Sequence, residues 1–486
     1  MDQMKDVSGD KKITTRAENY SEWYLDVISA AQLADYSPVK GCMVIRPNGY
    51  QLWERIQSVL DSEFKDIGVR NAYFPMLIPE RLLTKEKDHV EGFAPEVAVV
   101  THAGGEKLEE PLVLRPTSET IMYEMYKDWI HSYRDLPLLI NQWANVIRWE
   151  KKTKPFLRTT EFLWQEGHTV HLNNDESDKF ARKMLNVYAD FAKDYMALPV
   201  IMGQKTESEK FAGALHTYTC EAMMQDGKAL QFSTSHNLGD NFAKAFGITY
   251  LDENNISQFG FQTSWGLSTR SIGGLIMTHS DDKGLVLPPK MATIKIAIVP
   301  IVNTENKESV MQVVENIFNT LISSTNFSKN SIFVDDRDMR PGDKYFYHEK
   351  QGTPIRLEIG PKDIEKNQCV LVRRDTGEKI FSPIIDLTVA VMELLDTMQN
   401  DLYNKAKSNL DNKIKQVSSW DEFTKEIEQN NFVMAYYDGT AETEKIIKEE
   451  TKATVRCIPF DEKPSKGICI KTGKESSQKV LFAKAY

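Results

Sequence analysis

Two arginines and a glutamate cluster in the segment between Arg148 and Phe162. Arg148 and Glu150 are two positions apart, and Arg158 precedes Phe162 by four. If each pair lies on a strand, as the neighbouring apolar residues predict, its side chains share one face of the sheet. A guanidinium can hold a phosphate, a carboxylate can accept from an exocyclic amine, and an aromatic ring can stack on a base. The segment therefore predicts a nucleotide site, with an arginine–glutamate pair on a solvated hairpin as the structural alternative.

The common phosphate- and zinc-binding motifs are missing from the chain. It contains no G-x-x-x-x-G-K-[ST] loop, no G-x-G-x-x-G and no H-E-x-x-H. This argues against a P-loop NTPase, a Rossmann dehydrogenase and a zincin. The cysteines are Cys42, Cys220, Cys369, Cys457 and Cys469. Their odd number and the lack of a C-x-x-C pair predict reduced thiols rather than a disulfide framework.

Length, charge and hydropathy set the broad class of the protein. At roughly 100–200 residues per domain, 486 residues predict two to four domains. The net charge of −10 excludes a global basic field, so any polyanion must bind to a local patch. No apolar run is long enough for a membrane helix, and the first twelve residues carry charge without an apolar core. These features predict a cytoplasmic protein with no membrane partner.

Apolar periodicity predicts the elements that position the nucleotide segment. Residues 52–64 have helical spacing, and the following residues 70–76 are rich in β-formers, with a proline that confines them to a strand end or a sheet edge. The short apolar segments are 112–115, 138–141, 146–149 and 162–165, and a helical stretch follows at 175–196. This order predicts an antiparallel sheet with helices.

The pattern changes after Pro288-Pro289-Lys290. The predicted elements are strand 294–300, helix 309–322, strand 332–335, helix 343–351, strands 355–359 and 370–373, and helix 387–403. Such alternation predicts a smaller α/β domain with a mixed or parallel sheet. A third small domain is predicted from a helical stretch at 404–429 and strands near 431–437 and 480–486.

Three segments resemble the motifs of the class II aminoacyl-tRNA synthetases. The R-x-E, basic loop and R-x-x-x-F of residues 148–162 resemble motif 2, and the long helix with residues 68–75 is similar to motif 1, the dimer-forming element. Residues 264–273 resemble motif 3, where Arg270 is implied to lie over the adenine. Thr269 departs from the class pattern because it replaces an acidic residue. The metal role of that acid is therefore in doubt, and Gln231 is the candidate magnesium ligand.

Longer segments narrow the resemblance to the prolyl-tRNA synthetases of the archaeal and eukaryotic type. They are 115–120, 155–168, 209–213, 229–239 and 335–363, and the resemblance covers about 19–486. Gly266 follows Phe162 by 104 positions, which leaves no room for the editing insertion of bacterial-type relatives. The implied fold class is α+β: a class II antiparallel-sheet catalytic domain (1–287), an α/β anticodon-binding domain (288–400) and a small α+β C-terminal domain (401–486).

The resemblance implies an enzyme that attaches proline to tRNA(Pro) through prolyl-adenylate, using ATP and Mg²⁺. The residues implied to be catalytic are Arg148, Arg158 and Arg270. The residues implied for proline are Thr117, Glu119, Arg148, Trp164, Glu166, His168, Phe211 and His236. The residues implied for ATP are Arg148, Glu150, Arg158, Thr159, Phe162, Gln231, Thr234, Ser268 and Arg270.

Several of these residues have a structural alternative. His168 and His236 could be structural histidines with satisfied hydrogen bonds, and aromatic residues such as Trp164 are often plain core. Thr117 and Glu119 also fit a helix N-cap with an acid in the first turn.

The second domain is implied to read the anticodon through Glu349, Arg356 and Lys362. Arginine and lysine can donate to guanine acceptors, and a carboxylate can accept from a guanine amino group. For Glu349 and Arg356, the alternative is a salt bridge at a helix end.

The C-terminal domain departs from the family, in which four cysteines often bind zinc. Tyr437 and, approximately, Glu442 stand where the first pair is expected, and Lys471 replaces the partner of Cys469. One thiolate cannot build a structural zinc site, so no zinc is expected. A homodimer is implied by motif 1. The rival functions are another class II synthetase, such as the threonyl enzyme with its zinc-containing amino-acid pocket, and a catalytically silent RNA-binding protein.

Overall fold

The computed structural model of the chain describes residues 12–83 and 97–486. Residues 1–11, which belong to the charged N-terminal stretch used in the sequence analysis, lie outside this part of the chain. The helices up to residue 279 are α1 (Tyr20–Ala30), α2 (Pro47–Asp66), α3 (Glu80–Leu83), α4 (Glu119–Trp129), α5 (Asn174–Asp194), α6 (Asn241–Phe246) and α7 (Arg270–His279). The strands are β1 (Ala34–Tyr36), β2 (Met43–Ile45), β3 (Arg70–Asn71), β4 (Leu77–Pro79), β5 (Ala98–Ala103), β6 (Glu106–Leu114), β7 (Leu138–Ile147), β8 (Glu161–His171), β9 (Val200–Gln204), β10 (His216–Met223), β11 (Ala229–Gly239), β12 (Thr249–Leu251), β13 (Ser257–Phe259) and β14 (Phe261–Ser268).

The remaining elements form two further groups. The first group is β15 (Ile296–Pro300), α8 (Lys307–Ser324), β16 (Ile332–Val334), α9 (Pro341–Gln351), β17 (Ile355–Ile359), α10 (Pro361–Glu365), β18 (Gln368–Arg373), β19 (Lys379–Pro383) and α11 (Leu387–Lys413). The second is β20 (Ile414–Gln416), α12 (Trp420–Glu428), β21 (Phe432–Tyr436), α13 (Ala441–Thr451), β22 (Thr454–Pro459), β23 (Gly467–Ile468), β24 (Glu475–Ser476) and β25 (Lys479–Ala483).

A large sheet, mostly antiparallel, carries the site. In the described residues it runs in the order β20-β21-β25-β22-β9-β10-β11-β14-β8-β7-β3. Strand β3 is an edge strand, as its proline-terminated sequence predicts. Its pairing with β7 is parallel and covers only Arg70 and Asn71, so the predicted strand over 70–76 is too long.

Helix α5 covers one face of this sheet. The Asn173 side chain accepts a hydrogen bond from the backbone N–H of Glu176 and caps the helix. Its buried residues include Met184, Tyr188 and Phe191, at the spacing of one helical face, and they pack in the main core. The predicted helix at 175–196 is confirmed, and it leaves the opposite face of the sheet to the site.

The prediction that Arg148, Glu150 and Arg158 lie on strands is wrong. Strand β7 ends at Ile147 and β8 begins only at Glu161. The backbone N–H of Arg148 still donates to the Thr160 carbonyl at 2.8 Å, but the Thr160 N–H donates to Gly41 instead of continuing the ladder. The three charged residues therefore lie on the loop between the strands. The predicted segment 138–141 and the first two residues of the segment 146–149 belong to a single strand, β7.

The middle part of the chain has the predicted mixed sheet. Its order is β16-β15-β17-β18-β19, with β15 parallel to both neighbours and the later pairs antiparallel. Helix α8 packs Val310, Val314 and Ile317 into the core of this part. Strand β19 has no counterpart among the predicted strands.

The C-terminal part continues the large sheet, because β22 pairs with β9 through Ile458 and Gln204. Helix α11 runs unbroken from Leu387 to Lys413. The predicted division into a helix ending at 403 and a second helical stretch over 404–429 is therefore wrong. No helix in the described ranges combines the length and apolar character that crossing a membrane requires.

Candidate active site

A cavity of about 270 Å³ lies over the centre of the large sheet. On β8, residues at every second position face one side of the sheet, and Phe162, Trp164, Glu166 and His168 all line the cavity. Other predicted site residues that line it are Thr117, Glu119, Arg148, Phe211, Gln231, Thr234, His236, Ser268 and Arg270. The fold thus brings together side chains from segments that are more than 100 positions apart in sequence.

The Glu166 carboxylate in this wall accepts hydrogen bonds from four donor groups. It accepts from the backbone N–H of Ser118 at 3.1 Å, from the Ser118 hydroxyl and from Gln142 Nε2 at 2.9 Å. The fourth donor is His168 Nε2 at 3.1 Å. Burial alone would raise the pKa of the Glu166 carboxyl, but these hydrogen bonds, that of His168 foremost, hold its pKa below the ordinary value. The cavity therefore contains a fixed negative charge.

Both ring nitrogens of His168 are engaged. Tyr123 Oη lies 3.1 Å from Nδ1, and Nε2 faces Glu166. Burial disfavours the charged imidazolium, but Glu166 and Glu119 outweigh burial and raise the pKa of His168. Glu119, Glu166 and His168 offer ligand atoms within 4.8 Å of one another. Because the imidazole nitrogens are committed, this cluster is a hydrogen-bonded charge pair with a second carboxylate and not a fitting zinc site.

Glu119 enters the cavity from the first turn of α4. The residue at the N-cap position is Ser118, not Thr117, and no side chain caps this helix. The Thr117 hydroxyl instead donates to Glu119 Oε2. The N-cap alternative for Thr117 is therefore wrong, while Glu119 is a first-turn acid and also faces the cavity. The hydroxyl and the carboxylate together can accept hydrogen bonds from a small ammonium group.

Two arginines supply positive charge to the same cavity. Arg148 Nε donates to the Pro116 carbonyl at 3.0 Å, and its guanidinium lies 5.5 Å from the Phe162 ring and 5.4 Å from the Trp164 ring. Arg270, at the start of α7, donates from Nε to the Leu157 carbonyl at 3.0 Å. Burial, followed by repulsion from neighbouring arginines, lowers the pKa of Arg270 to about 10. Such a concentration of cationic groups suits a polyphosphate.

Three predicted nucleotide residues are absent from the described lining of this cavity. Glu150 and Arg158 form an ion pair of 3.3 Å on the loop, with Arg158 largely exposed. Thr159 donates to the Glu161 carbonyl at 2.7 Å and lines a neighbouring cavity of about 240 Å³, which Phe162 also borders. The hairpin alternative of an arginine–glutamate pair is therefore present, although on a loop and not across two strands.

Strand β11 closes the opposite side of the cavity. Thr234 and His236 pair with Gly266 and Ser264 of β14, which in turn pair with Glu166 and His168, so β14 separates the two sides of the cavity. His236 Nδ1 lies 2.9 Å from the Thr217 hydroxyl, and its ring is 4.7 Å from that of Phe211. His236 is thus a hydrogen-bonded histidine that also faces the cavity, so its two sequence-based interpretations hold together.

Sequence reasoning missed the residues that hold others in place. Ser118 and Gln142 bind Glu166, Thr217 binds both His236 and the Phe211 backbone, and Lys205 lines the cavity. Ser118 lies inside the resembling segment 115–120, so a search for hydroxyls next to Glu119 could have found it. Nothing in the sequence pairs Gln142 with Glu166, because their contact depends on the β7–β8 register.

A third cavity, of about 160 Å³, lies in the middle part of the chain. Its described lining includes Lys283, Glu349, Arg356, Arg374 and Lys379, and among the predicted anticodon residues only Lys362 does not line it. Lys283 pairs with Glu349 at 3.2 Å, and Arg374 Nε donates to the Glu349 carbonyl at 2.7 Å.

Arg356 pairs with Glu358 at 2.8 Å and lies 4.2 Å from the Tyr345 ring. Glu349 and Arg356 therefore each have another charged partner. For Glu349, in the last turn of α9, the alternative of a salt bridge at a helix end is present, whereas Arg356 pairs with Glu358 along β17.

Comparison with known proteins gives the family of this chain. Residues 101–279 match a family model described as the tRNA synthetase class II core domain (G, H, P, S and T), and 295–401 match the anticodon binding domain. Residues 420–486 match the model described as prolyl-tRNA synthetase, C-terminal.

Full-length relatives agree with these matches. A proline–tRNA ligase of Chlorobaculum tepidum is 55% identical over 98% of this chain and 99% of the relative. Proline–tRNA ligases of Chlorobium luteolum and Prosthecochloris aestuarii are each 54% identical, again over 98% of this chain and 99% and 100% of the relatives. The chain belongs to the prolyl-tRNA synthetase family of class II aminoacyl-tRNA synthetases.

Proposed function

We propose that this chain attaches proline to tRNA(Pro) in two steps. Proline and ATP first give prolyl-adenylate and pyrophosphate, and the prolyl group then passes to the 3′-terminal ribose of the tRNA with release of AMP. The observation that carries the proposal is that the Glu119 carboxylate and the Arg148 guanidinium line the same cavity. The two groups match the two opposite charges of one amino acid. An ammonium needs an anionic acceptor, and a carboxylate needs a cation.

The proline end of the cavity is assigned to the acidic and aromatic side chains. Thr117 and Glu119 accept from the imino nitrogen, and Arg148 binds the carboxylate. The wall of the pyrrolidine pocket consists of Trp164, Glu166, His168, Phe211 and His236. The hydrogen bonds that fix Glu166 and His168 support this assignment, because a rigid wall excludes water from a small apolar ring.

The ATP end is assigned to Arg148, Glu150, Arg158, Thr159, Phe162, Gln231, Thr234, Ser268 and Arg270. Phe162 stacks on the adenine, Glu150 accepts from its amino group, and Arg158 and Thr159 reach the phosphates. Because Glu150 and Arg158 pair with each other on a loop, binding exchanges part of that ion pair for contacts with ATP. The catalytic groups are Arg148, Arg158 and Arg270, whose charges stabilise the negative charge that develops on the α-phosphate.

Magnesium fits this site through the phosphates of ATP. Mg²⁺ prefers oxygen ligands and commonly binds through substrate phosphates and water. The Gln231 amide oxygen is available on the cavity wall as one neutral ligand. When bound, the ion neutralises charge on the phosphates.

The in-line reaction needs no covalent intermediate with the protein. The proline carboxylate oxygen attacks the α-phosphorus, the bond to the bridging oxygen breaks, and pyrophosphate leaves. Arg148 contacts both reactants, so it holds the carboxylate beside the phosphate and offsets the charge that both carry. The residues on β8 and β11 keep the pocket rigid during this step.

Further assignments complete the proposal. Glu349, Arg356 and Lys362 read the anticodon, supported by the basic cavity that Glu349 and Arg356 share. The domains are 1–287, 288–400 and 401–486, although α11 runs through the last boundary. The chain acts as a cytoplasmic homodimer without structural zinc. It is of the archaeal and eukaryotic type, supported by the short interval between motifs 2 and 3.

Amino-acid-dependent ATP–pyrophosphate exchange on the purified chain tests the function. We expect proline to drive exchange well above threonine and alanine run in parallel. Exchange driven mainly by threonine would point to the threonyl specificity. Silence with all three amino acids in a folded protein would favour the RNA-binding alternative. Charging of a tRNA(Pro) transcript then tests the second step, and light scattering on a sizing column tests the dimer.

A further inference from the structure

A buried charge network joins the C-terminal part of the chain to the wall of the active-site cavity. Lys205 Nζ donates to Glu221 Oε1 at 2.8 Å and to the Arg456 carbonyl at 2.6 Å. Arg456 donates from Nε at 3.0 Å and Nη2 at 2.8 Å to Glu221 Oε2. The three residues are 5%, 0% and 8% exposed. Charges at this depth cost several kcal/mol each in desolvation unless they are paired, so their geometry is held tightly.

The backbone brings these charges together where two parts of the sheet meet. Strand β22, which carries Arg456, pairs with β9 through Pro459 and Gly203. A Cβ at Gly203 would collide with the Ile458 carbonyl and with the Cys457 side chain, so the close approach of the strands needs glycine there. Lys205 follows directly after β9. At this junction, the Arg456 side chain of the C-terminal part therefore contacts Glu221 of the catalytic sheet.

The network reaches the cavity directly through Lys205 and indirectly through Gln231, the strand neighbour of Glu221. Lys205 lines the cavity itself. Glu221 stands opposite Gln231 across the β10–β11 pair, next to an irregularity in the register. Directly opposed residues on antiparallel strands point to the same face, so Glu221 lies beside the side chain that is assigned to the magnesium–ATP complex.

The hydrogen bonds leave Glu221 no freedom to act as a ligand. One carboxylate oxygen accepts from Lys205 and from the Thr219 hydroxyl at 2.8 Å, and the other accepts twice from Arg456. With two cations and one carboxylate, the network carries one net positive charge. It adds to the charges of Arg148 and Arg270, which line the same cavity.

We propose that Arg456 is a positioning residue for ATP: through Glu221 it fixes Lys205 and Gln231 in the cavity wall. The C-terminal part of the chain is thereby a component of the ATP site. This inference rests on the proposed synthetase reaction. A purely structural ion network predicts a lower Tm when one partner is removed, with the KM values for ATP and for proline unchanged or raised together.

The test compares Arg456→Met, Glu221→Gln and the double variant in ATP–pyrophosphate exchange. We expect Arg456→Met to raise KM for ATP at least tenfold and leave KM for proline within twofold. The single variant also removes both hydrogen bonds of Arg456 from the buried Glu221 carboxylate, leaves Lys205 as its cation, and lowers Tm. The double variant also removes the carboxylate and leaves the buried Lys205 without its ionic partner, so we expect neither Tm nor KM for ATP to recover. Wild-type KM for ATP in the double variant would overturn the inference.

A milder variant covers the case in which Arg456 substitutions do not fold. Thr219→Val removes one hydrogen bond from Glu221 without creating an unpaired charge, and we expect KM for ATP to rise about threefold. An unchanged KM would overturn the inference. Asp438→Asn is the matched control, because Asp438 is a buried carboxylate whose partners Thr440, Thr443 and Thr472 all lie in the C-terminal part. We expect it to leave KM for ATP unchanged even if Tm falls.

Failure of this inference is distinguishable from failure of the proposed function. If the wild-type chain shows no proline-dependent exchange, the function is wrong. If the wild-type chain is active and the variants keep its KM for ATP, only the role of Arg456 is wrong.

Discussion

Glu166 and His168 lie two positions apart on β8, are both buried, and share a hydrogen bond of 3.1 Å across the wall of the cavity. The pair titrates in opposite directions: the pKa of Glu166 is lowered and that of His168 is raised. Each group therefore favours the charged form of the other. The relationship makes the proline end of the cavity sensitive to pH.

The first prediction concerns stability against pH. The Glu166 pKa lies below its ordinary value of 4.5, so its contribution is present above pH 4.5 and is lost as pH falls through the lowered pKa. The His168 pKa lies above 6.5, so its contribution is complete below pH 6.5 and is lost as pH rises through the raised pKa. We expect the pair to stabilise the fold most between these two values, by about 2 kcal/mol.

Thermal unfolding of the wild type and of His168→Gln across pH 4 to 9 measures this contribution. Glutamine keeps a donor for Glu166 but cannot carry charge. We expect the difference in Tm between the two proteins to be largest near pH 5–6 and to shrink on either side. A difference that is the same at every pH would show that His168 stays neutral in the fold.

The second prediction concerns Arg148→Lys. Lysine keeps the positive charge but loses the planar fork, and with it the stacking between the Phe162 and Trp164 rings. We expect kcat for proline-dependent exchange to fall by about 100-fold or more, as for removal of a group that stabilises transition-state charge. Arg134→Lys, at an exposed site over the Tyr133 ring, is the matched control and should keep wild-type exchange. Activity of Arg148→Lys within threefold of wild type would contradict the assignment.

The third prediction concerns Glu119→Gln. The substitution keeps the shape of the side chain and its contact with Thr117 but removes the charge that faces the imino group of proline. A charge-assisted hydrogen bond contributes about 1.5–3 kcal/mol, so we expect KM for proline to rise roughly 10- to 100-fold. KM for ATP should change little. The measurement is the fold-change in KM for proline divided by the fold-change in KM for ATP. An equal rise in both KM values would mean that Glu119 supports the fold of the whole cavity.

The sequence predicted the sheet strands of the site better than the loop between them. Alternation along β8 places Phe162, Trp164, Glu166 and His168 on one face, and a period of two is readable from sequence. The predicted ends of the two strands of motif 2 were wrong because the Thr160 N–H donates to the Gly41 carbonyl. Local propensity does not encode such a contact between distant segments.

The links between parts of the chain were also beyond the sequence. Helix α11 is continuous where the sequence predicted a break. The break was predicted because the Lys- and Asn-rich turn has the same local pattern as the start of a new helix. The network of Lys205, Glu221 and Arg456 depends on the pairing of β9 with β22, whose partners are about 250 positions apart. Neither spacing nor composition points to such a long-range pairing.

The fourth prediction concerns Gly167, which lies between Glu166 and His168 on β8. A Cβ at this position would collide with the indole ring of Trp265, which stands opposite on β14. Trp265 is 1% exposed in the main core and cannot move without disturbing it. We expect Gly167→Ala to destabilise the protein by about 1–3 kcal/mol, as overpacking does.

Thermal unfolding checks the Gly167→Ala variant, with Gly342→Ala as its control. A Cβ at Gly342, in the first turn of α9, meets no atom within 4 Å, and alanine favours helix. We expect the control to keep or slightly raise Tm. If both variants kept the wild-type Tm, the close approach of Gly167 to the indole would not constrain the sheet.

The fifth prediction concerns zinc in the C-terminal part. At the positions where the family resemblance implies zinc-binding cysteines, the Tyr437 hydroxyl donates to Glu444 at 2.7 Å, and Lys471 pairs with Glu450 at 2.6 Å and lies 4.0 Å from the Trp420 ring. Cys469 is buried in the core with Tyr437. Hydrogen bonds and apolar packing thus occupy the positions of the ligands, and a structural zinc site needs about four.

Zinc analysis and chelation check this prediction. Dialysis against a zinc chelator, followed by return of magnesium, should leave Tm and proline-dependent exchange unchanged. We expect well under about 0.1 zinc per chain before chelation, because a structural site would hold one zinc and lose its fold without it. Glu444→Gln should lower Tm, since it weakens the hydrogen bonds with Tyr437 and Ser208 that stand in for the metal. Zinc close to one per chain, with a loss of Tm on chelation, would mean that Cys469 and its neighbours still bind the metal.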